Sequence, residues 1–201
     1  MLRIGLTGPS GAGKSVVAEL FARFGVPSVD TDAVYHELLL PPSACLDELV
    51  AAFGKDILTP DGHLDRPALA VLVFDPAHGE RLERLNGITH RHILDRVRVL
   101  CLQYEADGVP AVLIDAPVLF ESGFDRECDR TLAVLADPDV RLARIMARDG
   151  LTREAALSRI NAQPSDGFYI SRADAVLYDN HAPEDLLPDV RRMLGEWGVS
   201  A

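Results

Sequence analysis

Gly8-Pro9-Ser10-Gly11-Ala12-Gly13-Lys14-Ser15 fits the phosphate-loop pattern G-x-x-x-x-G-K-[ST], and it decides the fold. Glycines let the backbone curl so that successive N–H groups face a phosphate. Lys14 adds a point charge for β and γ oxygens, and the Ser15 hydroxyl suits Mg²⁺. The flanks agree. Leu2 to Thr7 is a short apolar run suited to a buried strand, and Val16, Val17, Leu20, Phe21 and Phe24 fall at helical spacing before Gly25. A helix opening here presents its positive end to the same phosphates. With ordinary residue frequencies, an accidental match arises in roughly one chain per thousand. The loop alone does not separate a kinase from an ATPase or a GTPase.

Working outward, 201 residues suffice for one domain with insertions. A formal charge of −11 argues against broad binding to nucleic acid, so a phosphorylated substrate needs a local arginine cluster. Only Lys14 and Lys55 of the twenty basic residues are lysines. Cys45, Cys101 and Cys128 are odd in number and widely spaced, which suggests neither a disulfide framework nor a zinc site and fits a reducing compartment. The chain enters its first strand without a signal peptide and holds no membrane-length apolar run, so the expected location is the cytoplasm.

Val26 to Asp32 reads as a short strand ending in two carboxylates. Ligands of open α/β sheets bind at the carboxyl ends of strands, so Asp30 and Asp32 stand where an acceptor meets the γ-phosphate. One of them can be a general base; either can equally cap the next helix. Residues 33–54 show helical patterns broken by Pro41-Pro42, with Ser43 as an N-cap and Gly54 as a stop. A helix is expected from about Arg66 to Phe74. A long helical tract is expected from Pro76 to about Ala106, interrupted near Asn86-Gly87. No strand signal occurs between 33 and 110, so this block is a candidate substrate-binding subdomain.

Ala111 to Asp115 is an apolar strand closing in an Asp, a position that can hold Mg²⁺ directly or through water. Thr131 to Ala136 is another strand. Asp137-Pro138-Asp139 then opens a helix carrying Arg141, Arg144 and Arg148, which is either a solvated face or a clamp on ATP phosphates. Thr152 caps a second helix ending near Gln163-Pro164, and the pair reads as a mobile lid. A short strand at Ala175–Tyr178 and a helix from Pro183 to about Trp197 follow. Alternating strands and helices imply a parallel sheet with right-handed crossovers.

Over essentially its full length the chain resembles the dephospho-CoA kinases, a family of P-loop small-molecule kinases. The matching elements are Ile4 to Gly8 with Gly11 to Ser15, Val29-Asp30-Thr31-Asp32, Gly62-His63-Leu64-Asp65-Arg66 with Leu69 and Phe74, and Leu85-Asn86 with Ile88 and His90. Asp115 to Glu121, Arg144 with Arg148-Asp149, Gln163, Ala173-Asp174 and Asn180 follow in the family's order. Arg91 stands where the family usually has Pro after the His. Ala12, Val16 and Val118 replace Ser, Thr and Leu, and Gln163 to Arg172 carries Pro164 and Gly167 in place of a more helical run.

The resemblance implies an α/β three-layer P-loop kinase fold with a parallel five-stranded sheet. Residues 1–32, 110–140 and 173–201 would form the core, 33–109 a helical CoA-binding insertion and 141–172 the lid. The implied reaction moves the γ-phosphate of ATP, with Mg²⁺, to the ribose 3′-hydroxyl of dephospho-CoA. Asp32 would be the base, Lys14 would stabilise developing charge, Arg144 from the lid would clamp phosphates, and Ser15 would bind the metal. ATP contacts would come from Gly11, Ala12, Gly13, Lys14, Ser15, Val16, Arg144, Arg148 and Asn180, the last near the adenine. Acceptor contacts would come from Thr7, Asp30, Asp32, Arg66, His90, Asp115 and Pro117. The expected partners are dephospho-CoA and ATP, without nucleic acid or membrane, on a monomer or weak homo-oligomer.

A nucleotide or shikimate-like kinase shares the loop and lid but leaves the L-D-R and L-N-x-I-x-H elements without a purpose. A regulatory GTPase is opposed by the absent N-K-x-D motif, since Gly13 and Gly54 precede the two lysines. A catalytically dead interaction protein is opposed by the presence of Lys14, Ser15 and Asp32 together.

Overall fold

The computed structural model describes residues 1–75 and 78–199, and the expected helix start at Pro76 lies outside them. By contacts the chain divides into Met1–Val29 with Cys101–Ala201, and Asp30–Leu100.

The first unit is built on a parallel sheet. Its strands are β1 (Leu2–Thr7), β2 (Ser28–Asp30), β3 (Ala111–Asp115), β4 (Arg130–Leu135) and β5 (Ala175–Tyr178), in the order β2-β3-β1-β4-β5. β1 runs in the middle, with Leu6 opposite Asp115 on one side and Thr7 opposite Ala133 on the other. Apolar runs suit strands covered on both faces. Ile4, Leu6, Val112, Leu113, Leu132 and Val134 are fully buried. Helix α1 (Lys14–Ala22) lays Val17, Leu20 and Phe21 on the sheet. Burying each of these stabilises by about 1.5–3 kcal/mol.

Parallel strands connected through helices put all their carboxyl ends on one edge, where the phosphate loop leaves β1. The loop needs glycine at its entry. Gly8 has φ +145°, and a Cβ there would lie 2.1 Å from the Val134 carbonyl oxygen. Helices α6 (Pro138–Asp149), α7 (Arg153–Asn161) and α8 (Asp166–Ile170) follow β4, and α9 (Leu187–Glu196) closes the described chain. The Pro164–Gly167 departure therefore does not remove helix; it starts a short one at Asp166. Asp174, part of the family's A-D element, fastens β5 to β4 by accepting from the Thr131 N–H at 2.7 Å and its hydroxyl at 2.9 Å.

The second unit is helical: α2 (Thr31–Leu38), α3 (Ala44–Phe53), α4 (Arg66–Val73) and most of α5 (Gly79–Ala106). Leu39, Cys45, Leu49, Ile57, Leu69, Val73 and Ile88 form its core. Ser43 and Asp65 cap α3 and α4 by accepting from the Leu46 and Ala68 N–H groups. Two expectations are corrected. Helix α5 continues through Asn86-Gly87. A mid-helix glycine costs about 1 kcal/mol, which the neighbouring buried Ile88 and Thr89 offset, and the Thr89 hydroxyl donates to the Leu85 carbonyl at 2.9 Å. The second strand stops at Asp30, so Asp32 lies in the first turn of a helix rather than at a strand end.

Candidate active site

The phosphate loop is held from behind. Lys14 donates to the Gly8 carbonyl at 3.2 Å. Two loop N–H groups are committed internally: Ser10 to Gln163 Oε1 at 3.0 Å, and Ala12 to the Pro9 carbonyl at 3.2 Å. The N-cap of α1 is Gly13, at φ +98°, with no side chain to cap the helix. Helices leave their first N–H groups without internal partners, so the first turn at Lys14, Ser15 and Val16 stays open to an anion.

The three arginines of α6 are not simply a solvated face, since each contacts the phosphate loop. Arg141, 4% exposed, donates through Nε to the Ser10 carbonyl at 3.1 Å and through Nη2 to Gln163 Oε1 at 3.2 Å. Arg144 Nη1 donates to the Gly11 carbonyl at 3.3 Å, and Arg148 Nη2 to the Ser10 hydroxyl at 3.4 Å. All three reach the phosphate loop. Burial lowers the Arg141 guanidinium from its ordinary value, with Asp166 opposing the shift. Arg148 is also paired with Asp149 at 2.7 Å and is exposed. Asn180 accepts from the Asp137 N–H at 2.7 Å, so its side chain fixes the start of α6.

Among the expected acceptor residues of this unit, Thr7 needs correction. It is fully buried, and its hydroxyl donates to the Pro117 carbonyl at 3.2 Å. It ties the loop entry to the segment after β3 and offers no surface to a substrate. Asp115 stands at the carboxyl end of β3, level with Leu6. A serine hydroxyl at the start of α1 and a carboxylate at the end of β3 are both hard oxygen donors. That set suits Mg²⁺, which takes one or two protein ligands and completes its shell with phosphates and water.

In the helical unit the two aspartates are placed differently. Asp30 is the N-cap of α2; one of its oxygens accepts from the Asp32 N–H at 2.8 Å and the Ala33 N–H at 3.1 Å. Asp32 follows in the first turn, exposed, with its carboxylate uncommitted among the described residues. Arg66 donates to His36 Nδ1 at 2.6 Å, which requires that nitrogen to be unprotonated. His90 is half-buried on α5, and burial lowers its pKa, keeping the ring neutral near pH 7. Arg91 and its neighbour His92 both grip Glu48 of α3, the latter at 2.8 Å, so the residue in place of the family's proline joins two helices.

Two residues escaped sequence reasoning. Gln163 matched the family's order but received no role. Its amide oxygen joins Ser10 to Arg141. Asp179 was passed over although it directly follows a strand. It is 1% exposed, and Arg144 Nη1 stands 3.0 Å from its Oδ2. A Cβ on Gly13 would meet that same oxygen at 1.8 Å. The cysteines offer no nucleophile. Burial pushes the Cys45 thiol up to about 11 and the Cys128 thiol up to about 12.

Comparison with known proteins follows the same lines. A family model described as dephospho-CoA kinase matches residues 2–185. The dephospho-CoA kinase of Corynebacterium efficiens is 39% identical over 196 residues, 98% of this chain and 97% of the relative. That of Moorella thermoacetica is 42% identical over 178 residues, 88% and 83% of the two chains. The crystal structure of TT1252 from Thermus thermophilus superposes with a TM-score of 0.78 at 35% identity, covering 97% of both chains. A shikimate kinase from Bacteroides thetaiotaomicron, at a TM-score of 0.57 and 18% identity, covers 98% of this chain and 99% of its own, and shares the fold.

Proposed function

This chain belongs to the dephospho-CoA kinase family, and we propose a division of labour among its residues for the ATP-dependent phosphorylation of dephospho-CoA, a step of coenzyme A biosynthesis. The observation that carries the proposal is the convergence of Arg141, Arg144 and Arg148 on a phosphate loop whose helix has no side-chain cap. Donors aimed where negative charge develops are worth several kcal/mol in a water-poor site.

In this reading the β- and γ-phosphates sit on Gly11, Gly13 and the open first turn of α1, and buried Ala12 shapes the loop through its N–H to the Pro9 carbonyl. Lys14 exchanges its bond to the Gly8 carbonyl for the phosphate oxygens and neutralises charge on the leaving ADP. Arg144 faces the γ-phosphate. Arg148 and Arg141 brace the loop, and the Asn180 segment borders the base. Ser15, with Asp115, would hold Mg²⁺, which would supply charge neutralisation at the phosphates. Asp32 is the base. Its carboxylate takes the proton of the ribose 3′-hydroxyl as that oxygen bonds to the γ-phosphorus, and the bond from the γ-phosphorus to the β,γ-bridging oxygen breaks. Asp30 caps α2 through one oxygen and borders the acceptor with the other. Arg66, His90 and Pro117 border the acceptor, and neutral His90 offers hydrogen bonding without charge. No helix among the described residues is long and apolar enough to cross a membrane. The reading takes the enzyme as cytoplasmic, a monomer or weak homo-oligomer, and without a nucleic-acid partner.

The test is incubation with ATP, Mg²⁺ and dephospho-CoA, following coenzyme A by mass. Product gained from dephospho-CoA is expected. Phosphorylation of AMP or shikimate instead, with no coenzyme A, overturns the proposal. Asp32→Asn is expected to lower turnover at least about a hundredfold while ATP still binds. Unchanged turnover removes Asp32 from the role of base.

A further inference from the structure

We propose that Asp179 is the positioning residue of Arg144, the counter-charge that holds this guanidinium at the phosphate loop before nucleotide arrives. The inference rests on the role given to Arg144 above. A carboxylate that is 1% exposed is costly unless something compensates its charge. Among the described residues neither Asp179 oxygen has an aligned hydrogen bond, and the one cation at contact distance is Arg144, whose Nη1 lies 3.0 Å from Oδ2. The same Nη1 directs its hydrogen bond to the Gly11 carbonyl at 3.3 Å. With neither Asp179 oxygen hydrogen-bonded, its contact with Arg144 is an attraction between charges. Hydrogen-bonding capacity left unused at a buried group needs an explanation, and the position of this one supplies it.

Asp179 is itself immobilised. Its N–H donates to the Leu135 carbonyl at 2.8 Å, at the end of β4. The next residue, Asn180, accepts from the Asp137 N–H at the start of α6, the helix that carries Arg144. Gly13 leaves space for the carboxylate only because it lacks a Cβ, which would sit 1.8 Å from Oδ2. Arg144 is therefore held through one nitrogen, between a loop carbonyl and a fixed carboxylate. Its Nε and Nη2 have no partner among the described residues and remain for phosphate oxygens. An arginine ordered in advance loses less rotamer freedom when the transition state forms. The pair also removes the repulsion a lone buried carboxylate would direct at an incoming triphosphate.

A double-mutant cycle tests this. Asp179→Asn keeps the shape and removes the charge; Arg144→Met removes the cation and keeps much of the length. Asp179→Asn is expected to lower kcat about tenfold, with KM for dephospho-CoA unchanged, and Arg144→Met about a hundredfold. In the Arg144→Met background, Asp179→Asn should cost less than about twofold more. Independent, multiplying losses, or wild-type turnover in Asp179→Asn, overturn the proposal. Wild-type turnover in Arg144→Met instead removes the role of Arg144, a separate failure. Melting temperatures keep the question open to decision if a single variant folds poorly. Arg144→Met strands a buried charge and should lower the melting temperature, and adding Asp179→Asn should restore it. No restoration counts against the pairing.

Discussion

Gly8→Ala puts the loop entry to a quantitative test. At φ +145° this residue occupies backbone space open essentially to glycine, and a side chain there costs about 1–3 kcal/mol. The new Cβ would also lie 2.1 Å from the Val134 carbonyl oxygen, more than 1 Å inside an ordinary contact of ~3.5 Å. That oxygen belongs to a central strand of the sheet, so no side-chain rotation relieves the overlap. Either β4 moves away from β1 or the loop lifts, and overpacking of this kind costs about 1–3 kcal/mol. The sum is about 4 kcal/mol. At about 2–4 °C per kcal/mol for a chain of this size, the melting temperature should fall by about 8–16 °C. Affinity for ATP should fall at least about tenfold, since the strain is centred in the cradle. Gly25→Ala is the control. Its φ is +74°, but no atom lies within 4 Å of the added carbon, so only the backbone cost of about 1 kcal/mol remains, a fall of about 2–4 °C. Thermal melts and nucleotide titration decide the matter. Equal losses in the two variants, or a Gly8→Ala protein that melts and binds ATP like the parent, would refute the steric reasoning.

Other expectations follow from the same structure. Lys14→Ala should abolish nearly all phosphoryl transfer without unfolding the chain, measured by coenzyme A formation beside a circular-dichroism melt. Gln163→Leu leaves the Ser10 N–H and one Arg141 donor unpartnered, and should weaken ATP binding about tenfold by titration. Chelation with EDTA should stop turnover and added Mg²⁺ should restore it. Because burial holds folded His90 below its ordinary value of 6.5, the unfolded chain binds more protons between the two values. Stability should therefore be full above about pH 6.5 and decline as pH falls toward the folded value; His90→Gln should flatten that part of the pH–melting curve.

Much of the core was legible because its signals are local. The phosphate loop, the apolar strands at 2–7 and 111–115, and the caps at Ser43 and Thr152 all announce themselves within a few residues. Features decided by packing were not. Gly87 looked like a break, but a helix crossing a hydrophobic core tolerates a glycine when its neighbours are buried. Asp30 and Asp32 were equivalent on paper because spacing cannot tell which carboxylate finds two free N–H groups. Arg141 reads in the sequence as one of three equivalent arginines, solvated face or phosphate clamp alike, yet it is among the few buried polar residues, since its partners at Ser10 and Gln163 are distant in sequence. Asp179 escaped for the same reason. Its meaning lies in Gly13 and Arg144, 166 and 35 positions away by their numbers. A carboxylate just beyond a parallel strand was the available signal.

The bracing of the phosphate loop also bears on timing and heat. With its carbonyls at Gly8, Ser10 and Gly11 already engaged by Lys14, Arg141 and Arg144, the loop is shaped during folding rather than on nucleotide arrival. The Ser10 and Ala12 amides should thus exchange slowly with deuterated solvent in the empty enzyme. Nucleotide capture should follow simple one-step kinetics, with little change in heat capacity attributable to ordering of the loop. Within the loop's own bracing, the groups left to turn to the ligand are the ammonium of Lys14 and the unengaged nitrogens of Arg144.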